Sequence, residues 1–321
     1  ERMISPRAPK AEYQLAATDA GESQREMIRA LELDLSMHEA LMAECAACGV
    51  EFLSTPFDDL SVELLAGLGV GRLKLPSGEV TNGPLLLKAA ATGLPVILST
   101  GMAMLHEVRL ALGALAFGWL GLAAPSPDAF LRAGASPEGK AALAARATVL
   151  HCTTEYPAPF ADANLRAMRT LREEFGLPVG FSDHTPGVAL PIAAVALGAS
   201  VVEKHFTLDR TLPGPDHRAS LEPDELAHMV QGIRAVESAL GDGIKRPRPS
   251  EVKNMAIARK SLCAFAAIRA GEPFTEENLA PMRPGDGVSP MRFWDYLGRP
   301  SPRDYAPGEL VEPVPGEGGE A

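Results

Sequence analysis

VGFSDH (179–184) and VVEKHF (201–206) are two strand-sized runs in succession, and each brings a histidine to its carboxyl end. The same texture repeats on the amino-terminal side in FLSTPF (52–57), RLKLPS (72–77), PVILST (95–100) and ATVLHC (147–152). Helix-sized segments separate them: SVELLAGLG (61–69), GPLLLKAAATG (83–93), NLRAMRTLREEFG (164–176), GVALPIAAVALG (187–198) and PDELAHMVQGIRAVESALG (223–241). Apolar strands alternating with helices predict a parallel sheet covered by helices, an α/β fold. Several of the helical segments end on glycine, which takes the left-handed conformation that stops a helix.

An open doubly wound sheet and a closed (β/α)8 TIM barrel both fit this alternation. Thr55, Ser77, Ser99, Thr154, His184 and His205 fall at or just past the carboxyl ends of their strands, one from each unit. An open sheet draws its polar groups from the strands at the switch point, whereas a barrel gathers every strand end around one mouth, so the barrel is expected. The residues before Phe52 supply a polar loop and the helical pattern EMIRALELDLSMHEALMAECAACG (26–49). The first two strands of an eight-stranded barrel are therefore expected upstream of Glu1, in roughly fifty further residues, and this chain alone is expected to be inactive and poorly folded.

Lys and Arg total 30 against 41 Asp and Glu, a net charge of −11. Repulsion from phosphate backbones and anionic lipid argues against nucleic-acid and membrane partners, and an anionic ligand would need a local basic pocket. No run is apolar enough to cross a bilayer and the opening ERMISPRAPKAEYQ has no signal-peptide core, so a cytoplasmic protein is expected. Cys45 and Cys48 form a CxxC pair near a helix end with no second pair to complete a zinc site, and Cys152 and Cys263 read as small buried apolar residues.

Residues 116–145 read as a helical surface insertion without chemistry. After Leu240 the polar, proline-bearing GDGIKRPRPSEVKN changes the texture, which divides the chain into a barrel (1–240), a linker (241–254) and a small β-rich domain (255–321).

Neighbouring strands lie about 4.8 Å apart, so His184 and His205 can converge on one ion and leave its other positions to water or substrate, as a catalytic metal requires. A lone strand-end histidine ordinarily just bonds to backbone, but the matched placement favours the metal. By alternation Ser182 and His184 share a face, as do Glu203 and His205, while Lys204 points away and is no nucleophile in the mouth. Glu203 is then either a base that orients a bound water or one half of an internal salt bridge. Thr55, Ser77, Ser99, Thr154 and Ser182, with Lys74, make a polar cradle suited to phosphate and carboxylate oxygens. Glu79, an acid in a site built for anions, is expected to handle a proton or a sugar hydroxyl.

EFLSTPFD, KLPSGEVTN, PVILSTGM, LHCTTEYPAP, GFSDHT, EKHFTLDR, PGPDHRASLEPDEL and ARKSL…RPGDGVSP, in this order from about Ala8 to about Val311, together resemble the sialic acid synthase family of N-acetylneuraminate, legionaminic and pseudaminic acid synthases. The resemblance implies a (β/α)8 barrel followed by an antifreeze-like (SAF) domain. It implies a transferase (EC 2.5.1.-) that condenses phosphoenolpyruvate with an open-chain N-acetylmannosamine-type sugar and water, releasing phosphate by C–O cleavage, with Mn2+ or Mg2+. Carried over by motif, His184 and His205 would hold the metal, and Thr55, Lys74, Ser77, Ser99, Thr154 and Ser182 would hold phosphoenolpyruvate. Glu79, Tyr156 and Asp216 would face the reacting centre or the sugar, with Glu79 and Glu203 as the proton-transfer candidates. Arg283 would reach the N-acyl group from the small domain of the other subunit of a domain-swapped homodimer. The family's first two strands have no counterpart here, and Pro186 stands where a leucine is common. HCTTEYPAP leans toward neuraminate and legionaminate synthases. The competing readings are a metal-dependent barrel aldolase that uses pyruvate and a non-catalytic, truncated sugar-binding protein.

Overall fold

The computed structural model describes residues 5, 8–18 and 21–314. Most of the opening stretch before Ala8 and the end of the expected small domain, 315–321, lie outside the described residues. The chain divides into two compact units, Glu1–Gly241 and Asp242–Ala321.

The first unit carries strands β1 (Leu73–Leu75), β2 (Val96–Ser99), β3 (Ala147–Cys152), β4 (Val179–Asp183) and β5 (Val202–Lys204). They form one sheet in the order β1-β2-β3-β4-β5, with every pair parallel. Its helices are α1 (Glu12–Ala17), α2 (Gln24–Arg29), α3 (Leu35–Cys48), α4 (Asp59–Gly67), α5 (Gly83–Ala91), α6 (Leu105–Trp119), α7 (Pro127–Ala135), α8 (Pro137–Arg146), α9 (Ala167–Phe175), α10 (Ala189–Ala196) and α11 (Pro223–Leu240). Unbroken βα succession with sequential strand order is the barrel arrangement, and the sheet curls as half of one. Leu73, Leu75, Val149, Val179 and Phe181 pack with Leu65, Leu86, Leu115 and Met168 of the helices into one core. Among the described residues no helix is long and apolar enough to cross a membrane.

Four expectations need correction. FLSTPF is not a strand: residues 51–57 make no ladder bond to β1, and Pro56 has no N–H to give one. Thr55 therefore sits on an unpaired segment. The helical pattern over 26–49 is broken between α2 and α3, where Asp34 caps a new helix by accepting from the Met37 N–H.

Residues 116–145 are helical as expected, but they are not merely a surface addition. Phe130 of α7 is buried and meets Phe117 of α6 edge to face at 5.3 Å. The two helices approach across Gly113 and Gly134; a Cβ on Gly113 would strike the Phe130 carbonyl, and one on Gly134 would lie 3.1 Å from the Gly113 Cα.

In the second unit, β6 (Ser261–Ala264) runs antiparallel to β7 (Leu279–Met282), and bridges Cys263↔Leu310, Ile268↔Tyr305 and Pro273↔Pro300 extend the pairing. Leu262, Ile268, Phe274, Leu279, Tyr296 and Tyr305 form its own core, with α13 (Phe293–Tyr296) contributing Tyr296. The polar stretch 241–254 is not wholly linker, because α12 (Pro249–Ala258) begins inside it. Pro249 fits the first turn and Glu251 reaches back to accept from the Arg248 N–H, a local start signal that composition conceals.

Gly113→Ala should force α6 and α7 apart and lower stability by about 1–3 kcal/mol, read as a reduced urea midpoint with an unchanged m-value.

Candidate active site

Each strand ends in polar residues because its apolar run stops there, and the register decides which of them meet. Ser182 pairs with Glu203 and Asp183 with Lys204 across β4 and β5. Alternation sends Ser182 and Glu203 to one face and Asp183 and Lys204 to the other.

On the concave face, Lys74 of β1 reaches Glu203 of β5 at 3.3 Å from Nζ to Oε2. These are the first and last strands of the sheet. In a flat sheet they would lie roughly 19 Å apart with parallel side chains, so the contact requires the curl. Ser182 Oγ donates to the other Glu203 oxygen at 2.7 Å, and Lys74 also donates to the Leu75 carbonyl at 3.3 Å. Lys74 is buried, while the Glu203 side chain keeps more than a third of its surface. The internal salt bridge left open by the sequence is thus present, at the wall of an accessible mouth.

On the opposite face the Asp183–Lys204 ion pair is shut off from water, with the two side chains 0% and 2% exposed and 2.7 Å between them. Thr185 completes it: its N–H and hydroxyl donate to Asp183 Oδ1 at 2.9 and 2.8 Å, and its carbonyl accepts from Lys204. Lys204 is excluded from the mouth, as alternation predicts.

The two histidines converge. The His184 and His205 rings stand edge to face with centroids 5.3 Å apart. The His184 Nδ1–H donates to the Thr153 carbonyl at 2.6 Å, which leaves the lone pair of the neutral ring on Nε2. Burial, the larger influence, pushes the His184 imidazole below the usual histidine range, against the upward pull of the Thr153 bond. Tyr156 packs its ring 4.2 Å from His184 and 5.3 Å from His205, and Asp216 Oδ2 lies 3.8 Å from His205 Nδ1. Among the described residues no three His, Cys, Asp or Glu side chains close into a metal cage. The donor set is an open pair of imidazoles with a carboxylate nearby, which fits a divalent ion that keeps positions free.

Around the mouth, Ser99 Oγ and Thr154 Oγ1 are buried with no hydrogen-bond partner. Ser77 opens the 3-10 turn Ser77–Glu79 after β1, and its Oγ accepts from the Gly101 N–H at 2.9 Å. Glu79 accepts from the Asn82 amide at 2.6 Å, and Asn82 in turn caps α5 through the Leu85 N–H. Thr55 makes none of these bonds. Arg283 belongs to the second unit, where its Nε donates to the Ala258 carbonyl at 3.2 Å.

Two participants were not among the residues singled out by sequence. Gly101 donates to Ser77 and also to Cys152 Sγ, at 3.1 Å. Cys152 was read as apolar packing, but its pairing opposite Ser182 places it on the mouth side, a signal that only the register carries.

Residues 1–245 match the model of the NeuB family. The N,N'-diacetyllegionaminic acid synthase of Campylobacter jejuni is 48% identical over 97% of this chain and 86% of that protein, and that of Legionella pneumophila is 41% identical over 93% and 78%. Among solved structures, the N-acetylneuraminic acid (sialic acid) synthetase of Leptospira borgpetersenii in complex with citrate superposes with a TM-score of 0.60 and 32% identity, over 75% of this chain and 76% of that one.

Asp183→Ala would strand a buried Lys204 and should cost about 3–5 kcal/mol in chemical denaturation. Adding Lys204→Met to it should recover part of the loss, so that the pair costs less than the two single changes summed.

Proposed function

The chain belongs to the NeuB family, and from that premise we propose that it condenses phosphoenolpyruvate with an N-acylated mannosamine-type aldehyde and water to give a nonulosonic acid and phosphate. The observation that carries the reading is the pair of orphaned hydroxyls, Ser99 and Thr154, in the mouth that also holds Lys74. Hydroxyls taken from water without partners are costly unless a ligand supplies acceptors, and a phosphorylated carboxylate supplies many.

Lys74 is the cation for that ligand. It is shared with Glu203, so an arriving anion competes for an amine already desolvated and aimed, and no further cation has to be buried. Ser77, Ser99, Thr154 and Ser182 would then direct their hydroxyls to the phosphate and carboxylate oxygens, with the family's role for Thr55 resting on the resemblance.

The new carbon–carbon bond joins C3 of phosphoenolpyruvate to the aldehyde carbon. Water adds at C2, and phosphate leaves with its bridging oxygen. His184 and His205 would hold Mn2+ or Mg2+, which supplies Lewis-acid polarisation of the aldehyde oxygen when bound. Both Glu203 oxygens are engaged, by Lys74 and Ser182, which suits it to orienting Lys74. Glu79 is fixed through one oxygen by Asn82 and keeps the other to move a proton at the sugar or at the attacking water. Tyr156 and Asp216, beside the imidazoles, would border the sugar. The names of the two relatives reported above favour a 2,4-diacetamido-6-deoxy acceptor over N-acetylmannosamine. The β-rich second unit is assigned as the SAF domain, with Arg283 reaching a partner subunit's acceptor site.

Inorganic phosphate should appear from phosphoenolpyruvate only when the acceptor sugar is present, and faster with the diacetamido sugar. A pyruvate aldolase would release none. Glu79→Gln should lower kcat by at least a hundredfold; unchanged turnover would remove Glu79 from the mechanism.

A further inference from the structure

At the end of β2 the Gly101 N–H is shared between two acceptors, Ser77 Oγ at 2.9 Å and Cys152 Sγ at 3.1 Å. The Ser77 hydroxyl and the Cys152 sulfur are themselves 3.1 Å apart. The turns that follow β1 and β2 and the last residue of β3 are therefore tied by one closed triangle of polar contacts. A Cβ on Gly101 would lie 2.9 Å from Cys152 Sγ and 3.0 Å from Ser77 Oγ, and it would overlap Thr154 Oγ1. Glycine is needed here for room, and the room it leaves is ringed by heteroatoms. Of these, Ser77 is held, while Thr154 Oγ1, like Ser99 Oγ nearby on β2, is buried and unpaired.

A thioether or thiol sulfur is a weaker acceptor than oxygen. It can hold a donor in place and yield it to a phosphate oxygen at less cost than a hydroxyl or carbonyl would. We infer that Cys152, which the family reading leaves without a role, is a positioning residue for the anionic substrate. It keeps the Gly101 N–H and the Ser77 hydroxyl in line with the two orphaned hydroxyls before the ligand enters. Then it releases them to the ligand. The thiol touches no reacting atom, and its effect is on binding of the phosphate-bearing substrate. The inference rests on the reading of this mouth as a phosphoenolpyruvate site.

The test is a titration of inorganic phosphate and of phosphoenolpyruvate against the full chain, without turnover, in wild type, Cys152→Ala and Cys152→Ser. Cys152→Ala should weaken both ligands about three- to tenfold, the size of one lost neutral hydrogen bond, at a temperature where both proteins are fully folded. Cys152→Ser keeps an acceptor in the triangle and should stay within about threefold of wild type. In steady state the loss should fall on the KM for phosphoenolpyruvate, leaving kcat and the KM for the sugar within about twofold. Equal binding by all three proteins overturns the inference, and so does a parallel rise in both KM values with a lowered thermal midpoint. Absence of phosphate release by wild type overturns the proposed reaction alone, because the titration still decides the role of Cys152. Wild type binding neither anion overturns both.

Discussion

The contact between Lys74 and Glu203 makes the rest of the mouth intelligible. It joins the two outermost strands of a five-stranded sheet through side chains that only curvature can bring together. Everything else on the concave face lies between those two strands, so the same curvature presses Ser77, Ser99, Cys152, Thr154 and Ser182 into one basin. The pair also settles the electrostatics of the basin. In a protein of net charge −11, a buried amine held by a half-exposed carboxylate is a cation that can be lent to a ligand without first being stripped of water.

Much of this was legible in the sequence. Five of the six strand-sized runs are strands, and the two histidines that end the last of them meet as their matched placement suggested. Period-two alternation also separated Lys204 from Glu203 correctly, because a strand leaves no freedom about which face a side chain takes. The misses share a cause. FLSTPF has the composition of a strand, but a strand exists only through bonds to a neighbour, and composition does not say whether the neighbour is engaged. The start of α12 hid in a polar stretch because a capping interaction needs only two residues, Arg248 and Glu251, against a background that looks like linker. Cys152 was taken for packing because its role depends on Ser77 and Gly101, which are distant in sequence and adjacent only across the ladder.

The helices added between β2 and β3 are instructive in the same way. Their alanine- and glycine-rich composition suggested an inert surface addition, yet small residues are what allow two helices to approach closely. Gly113 and Gly134 give α7 its seat on α6, and α6 in turn shares a core with the strands that carry the mouth. A segment without chemistry can thus still fix the backbone on which the chemistry stands.

The sealed Asp183–Lys204 pair has a further bearing on how the chain finds its native register. Sliding β5 by one residue against β4 would swap the faces, carrying Lys204 into the basin and abandoning Asp183 in an apolar layer. Such a misaligned sheet would otherwise satisfy its backbone bonds almost as well as the native one. The ion pair therefore works as a proofreader of strand alignment, rejecting a slip that would turn the His205 imidazole away from His184.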